Sequence, residues 1–154
     1  MSEGAAVSFD LKEVEAVKKM LAKASLSAAA RHRLLHGIGV EMGASAQERF
    51  DTKQSPDGNS WKALAEKTRK YYAKKKKGAE PPLVVTGFLR VSLTSEVQGG
   101  AWAVLVGATK EYAAVHQFGY DKRNIPARPY LGVSPDDGRA IEALVLQFLG
   151  GIVR

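Results

Sequence analysis

The spacing of apolar and polar positions changes along the chain, and each change marks an element. Leu11, Val14, Val17 and Leu21 recur at helical spacing behind Asp10 and Glu13, a pair placed as in a capping box. This predicts a first helix from about Leu11 to Ala24. Ser27 is a good N-cap for a second helix. Leu35, Ile38, Met42, Ala46 and Phe50 keep one face of it apolar as far as Asp51, while Arg33, Gln47 and Glu48 lie off that face. Gly37, Gly39 and Gly43 each weaken it by up to ~1 kcal/mol against alanine, which predicts a kink.

SPDGNSW, residues 55–61, is a turn: proline presets φ, aspartate bonds the local backbone and glycine tolerates positive φ. Trp61 follows as a hydrophobic anchor. WKALAEKTRKYYAKKKKG then reads as a basic helix running into a mobile loop, together residues 62–80, and Pro81 and Pro82 stop any helix. After Gly87 the period falls to two. Leu89, Val91, Leu93, Ser95 and Val97 alternate with polar residues, as in a strand with one buried face. Gly99-Gly100 is a two-residue hairpin signal, and the return strand 101–107 is apolar on both faces, as a central strand would be. A third extended segment or short helix covers Tyr112 to Phe118. Ser134, Pro135 and Asp137 start a final helix with the apolar stripe Ile141, Leu144, Val145, Phe148, Leu149 and Ile152. The expected fold is α+β. An antiparallel sheet, with the hairpin Leu89–Gly107 and further strands, packs against the long helix of the N-terminal half, and an amphipathic helix closes the chain.

The length, 154 residues, fits a single domain, and 45% hydrophobic with 25% charged residues is an ordinary globular balance. No apolar run approaches the ~18 residues that span a bilayer. The acidic start MSEGAAVSFD does not resemble a secretory signal. Absence of cysteine excludes disulfides, thiol nucleophiles and cysteine-based zinc sites. The net charge of +7 is local. Eight of the 23 basic but only one of the 16 acidic residues lie between Trp61 and Gly78, which leaves 15 of each sign elsewhere. Such a segment is a solvated face or a polyanion site. Tyr71 and Tyr72 beside Lys74, Lys75, Lys76 and Lys77 keep open a nucleic-acid-binding module that contacts phosphates without reading sequence.

Candidate chemistry is sparse. His32 and His36 are four apart on a helix, the spacing of two metal ligands, but no HExxH glutamate stands between them. His116, in YAAVHQFGY, would need a nucleophile and an orienting carboxylate to act as a base; Glu111 and Asp121 are its neighbours in sequence. No nucleophile elbow, phosphate loop or carboxylate pair accompanies it. The plainer reading is a histidine whose ring bonds a backbone carbonyl under the sheet. In NIPARPYLG, residues 124–132, the prolines fix an extended path that pins Arg128, whose planar guanidinium suits a carboxylate or carbonyl edge. No catalytic residue, cofactor or metal is expected.

SPDGNSW, a basic helix, TGFLRVSL, VGATKEYAAVHQFG, IPARPYLG and a helix follow one another in this order. This ordered set resembles the tailed-phage virion morphogenesis family, the tail completion proteins, over roughly residues 27–150. The resemblance implies a structural, non-enzymatic virion protein, assembled in the bacterial host cytoplasm. It would act in tail completion and stable head–tail joining. Related connector and tail-terminator proteins form rings, commonly sixfold. The implied partners are copies of itself, tail tube and head-connector proteins, and the DNA passing through. In that frame Trp61, Gly87, Tyr112, His116, Gln117, Phe118, Gly119, Pro126, Arg128 and Pro129 form a structural signature. Tyr112 and Phe118 would bury area, Gly119 would permit a turn, and His116 and Gln117 would supply hydrogen bonds. Residues 1–24 would be an extra N-terminal helix.

Overall fold

The computed structural model describes residues 5–10, 15–75, 83, 86–99 and 103–152. Three strands form one antiparallel sheet in the order β1-β3-β2, with β1 at Ala5–Asp10, β2 at Leu93–Val97 and β3 at Ala103–Ala108. The central β3 pairs Val104 with Phe9 on one side and with Val97 on the other. Its position between two strands explains its two apolar faces. The helices are α1 (Glu15–Lys23), α2 (Ala28–Thr52), α3 (Glu66–Lys74), α4 (Phe88–Val91), α5 (Ala113–Phe118) and α6 (Pro135–Ile152). Helix α2 packs on β2 and β3 and also touches α6. Leu34, Leu35, Ile38, Met42, Ala46 and Phe50 of α2 bury against Val104 and Val106 of β3 and Ile141 and Val145 of α6.

The local start signals work as read. Ser27 accepts from the Ala30 amide at the start of α2. Ser134 and Asp137 cap α6 reciprocally: Asp137 N donates to Ser134 Oγ at 3.1 Å, and Ser134 N donates to Asp137 Oδ2 at 2.7 Å. The Asp10–Glu13 capping box falls partly on 11–14, outside the described residues, and Asp10 itself ends β1. The first 24 residues are therefore more than an extra helix, since β1 adds the edge strand beside β3.

Three expectations change. Leu89 and Val91 do not belong to a strand, because residues 88–91 form α4 and the hairpin runs from Leu93 to Ala108. Gly87, at φ +69°, turns the chain into α4, and Arg90 clasps Asp51 at the end of α2 with two bonds of 2.8 Å. Leu89 is buried while Val91 is 73% exposed. Leu89 and Leu93 are four apart, so they share a face under a helical period as well as under a strand period. The hairpin connection is also longer than two residues: Gln98 N bonds Ala103 O, which leaves 99–102 between them, and 100–102 lie outside the described residues. Finally, α3 begins at Glu66, after a stretch over 61–65 that is neither helix nor strand.

Helix α2 runs unbroken through its glycines. Gly39 allows a close helix–sheet approach: a Cβ there would stand 2.9 Å from Ser95 Oγ and from Val104 Cγ2. A Cβ on Gly43 would meet nothing within 4 Å. The two sites should therefore respond with opposite signs. Gly39→Ala overpacks a tight contact and lowers stability by about 1–2 kcal/mol, whereas Gly43→Ala raises it by up to ~1 kcal/mol through helix propensity. Denaturant midpoints of the two variants check this, and equal shifts would refute the close approach.

Candidate functional site

Trp61, His116, Gln117, Gly119 and Arg128 of the signature meet at one segment, 126–132, and hold it mostly through its backbone. Gln117, buried on α5, accepts from Tyr130 N and Leu131 N at 3.0 Å each and donates Nε2 to Leu131 O at 3.0 Å. Trp61 donates Nε1 to Pro129 O at 2.9 Å and meets Phe50 edge-on at 5.5 Å. Arg128 N donates to His116 O at 2.8 Å. Its guanidinium is turned inward, giving Nε to Lys62 O at 2.8 Å and NH2 to Ala63 O at 3.1 Å. The carbonyl contact expected of Arg128 is thus made to the chain itself. Pro126 and Pro129 flank it, outside any helix or strand. Gly119, at φ +79°, closes the bend, because a Cβ there would lie 2.8 Å from Ala127 N.

A buried ion pair locks the far end. Arg49 NH1 donates to Tyr130 O at 2.9 Å and Gly132 O at 3.1 Å, and its NH2 pairs with Asp137 Oδ2. Ser45 Oγ donates to Asp137 Oδ1 at 2.5 Å. Burial raises the Asp137 carboxyl pKa, but Ser45, Ser134 and Arg49 together outweigh it and the net shift is downward. Sequence reasoning saw Asp137 only as a cap and passed over Arg49. One signal was present: Arg49 follows Met42 by seven and Ala46 by three, which sets it on the buried stripe of α2.

Segments 55–65 and 126–132 lie side by side in opposite directions. Pro56 stands against Gly132, Trp61 bonds residue 129, and Lys62 and Ala63 bond residue 128. The SPDGNSW turn projects at one end of this ribbon. It is closed by Ser55 N to Asn59 O at 2.8 Å, and Asp57 is tied to Asn59 by bonds of 3.2 and 2.6 Å. A groove of about 490 Å³ opens at the other end. Leu64, Ala65, Pro126 and Arg128 line its near side, and Lys67 and Tyr72 of α3, His116 of α5 and Arg123 contribute to its walls.

His116 departs from expectation. In place of a bond to a backbone carbonyl, its Nδ1 is buried with no hydrogen-bond partner among the described residues, and Tyr112 packs edge-on at 5.9 Å. Glu111 and Asp121, its neighbours in sequence, are exposed, and neither pairs with the buried Nδ1. Burial first, and the Arg128 charge second, lower its pKa. A histidine kept neutral in the fold contributes stability that is present above its unfolded pKa of ~6.5 and is lost as pH falls from there toward the folded value. Thermal melts should therefore drop more between pH 7 and pH 5 in the native protein than in His116→Gln; equal slopes would mean that His116 titrates as in the unfolded chain. Tyr112 and Phe118 also differ from expectation, at 41% and 68% exposed.

The basic helix α3 is solvated. Lys74 ends it, Lys75 places Nζ 4.8 Å over the Tyr71 ring, and Lys76 and Lys77 lie outside the described residues. That contact occupies one face on which a base could stack. His32 and His36 stack on each other at 6.5 Å between centroids, and among the described residues no group of three or more histidines and carboxylates could hold a metal.

A model of the phage virion morphogenesis family matches residues 12–150, which takes in every signature residue. The chain belongs to the phage virion morphogenesis family. Membership reaches back to residue 12, so α1 falls within the matched region along with the rest of the core. Among its relatives in the family's company, tail completion protein S of Escherichia phage P2 is 28% identical over 134 residues, covering 81% of this chain and 88% of that protein. The Mu-like prophage FluMu G protein 1 of Haemophilus influenzae is 34% identical over 101 residues, 65% of this chain and 66% of that one. FluMu G protein 2 is 29% identical over 136 residues, 85% and 87% respectively. No solved structure matches significantly.

Proposed function

We propose that this virion morphogenesis protein completes the phage tail and stabilises the head–tail joint by packing against copies of itself and its neighbours, without catalysis. The observation that carries this reading is where the buried polar groups around residues 126–132 are used. Gln117, Trp61, Arg128 and Arg49 direct their hydrogen bonds to the chain's own backbone and to Asp137, which suits a rigid building block. The likeness to tail completion protein S over 88% of that protein supports the same role. The copies form a ring at the head-proximal end of the tail, next to tail tube and head-connector proteins and around the DNA path, and the protein resides in the virion. The test is electron microscopy of a lysate from a phage or induced prophage with a stop codon in this gene. Filled heads beside separate or aberrant tails are expected. Normally joined particles would sink the reading.

A further inference from the structure

The SPDGNSW turn and the groove stand at opposite ends of one ribbon and carry opposite charge. Among the described residues no carboxylate lines the groove, whereas Lys67, Arg123 and Arg128 do, together with His116. Lys67 and Arg123 are exposed and form no ion pair with another described residue. At the other end, Asp57 is exposed at the tip of a turn already closed by its own hydrogen bonds. Glu48 and Asp136 share the hollow beside it, Asp136 paired with Arg139. The turn meets Gly132 at one end of the ribbon and the groove lies against Leu64, Ala65 and Pro126 at the other, so the tip does not line its own molecule's groove.

We propose that the Asp57 turn of one copy seats in the Lys67–Arg123 groove of the next. A contact between two different patches of the same chain is heterologous, and it closes into a ring when the rotation per copy allows. The turn is preorganised, so little conformational entropy is lost on docking. The carboxylate of Asp57 meets Lys67 and Arg123 at the rim, and the groove's apolar wall at Ile125 and Tyr72 shields the pairs. This contact rests on the self-packing reading above, but it can fail while that reading stands.

The test is a charge swap read by sedimentation velocity over a concentration series, with circular dichroism melts to show that the exposed substitutions leave the fold intact. Asp57→Lys and Arg123→Asp should each weaken self-association roughly tenfold or more, because like charges then face each other. The double variant, and an equal mixture of the two single variants, should recover it. Wild type and single variants that associate equally well would overturn this contact and leave ring packing by another face. A wild type that stays monomeric throughout would also overturn this contact, and the self-packing reading is then decided by the microscopy of the stop-codon lysate. If Arg123→Asp changes only the retention of duplex DNA, the groove is a polyanion site and the proposal is wrong.

Discussion

Arg49→Met should lower the unfolding free energy by about 3–5 kcal/mol, the usual cost of removing one partner from a buried ion pair. Arg49 and Asp137 are each only 6% exposed. The substitution leaves the Asp137 carboxylate without its cation and the Tyr130 and Gly132 carbonyls without their donor. Replacing both partners, Arg49→Met with Asp137→Leu, should cost less than the sum of the two single changes, since no uncompensated charge remains. Chemical denaturation of the two single variants and the double variant measures this coupling; strict additivity would show that the pair is not energetically linked.

The same pair sets a pH signature. The folded Asp137 pKa is depressed, so its contribution is present above the unfolded value of ~4 and is lost as pH falls through the folded one. Native stability should therefore fall below about pH 4. In Arg49→Met the carboxylate loses its cation while its burial stays unfavourable, so acid relieves the unpaired charge. The gap between variant and wild type should narrow in acid, and a gap that widens there would contradict the assignment.

Trp61→Ala should cost about 3–5 kcal/mol, as expected for truncating a buried tryptophan. Trp61 is 7% exposed, packs on Phe50 and donates to Pro129 O. Trp61→Phe keeps most of the packing and removes only the hydrogen bond, and should cost about 1–3 kcal/mol. Trp61 also joins the two halves of the ribbon, so its truncation should loosen the Lys62 and Ala63 carbonyls that hold Arg128. Faster amide hydrogen exchange at Arg128 and Tyr130 in Trp61→Ala, relative to the rest of the sheet, reads this directly. Uniform exchange across the chain would place Trp61 outside the ribbon's support.

Much of the element order was legible because its signals are short-range. A cap acts within one turn, as Ser27 does on Ala30 and Ser134 on Asp137, and the two-faced hydrophobicity of residues 103–107 marked β3 as a covered strand. The ordered motifs pointed to the virion morphogenesis family, to which the match over residues 12–150 assigns the chain. Three features were decided only by tertiary structure, each for a physical reason. Residues 88–91 became helix because Gly87 turned the chain and Arg90 found Asp51, 39 residues away, while the Leu89–Leu93 spacing fitted both periods. Residues 5–10 became a strand because β3 had a free edge to pair, which the leader's own pattern does not announce. Arg49 is buried because its acceptors, 81 to 88 residues further on, arrive there only in the folded chain. Charge and hydrophobic period belong to the sequence by itself; whether a given arginine faces water or the core depends on carbonyls and carboxylates that only the fold brings within hydrogen-bonding distance.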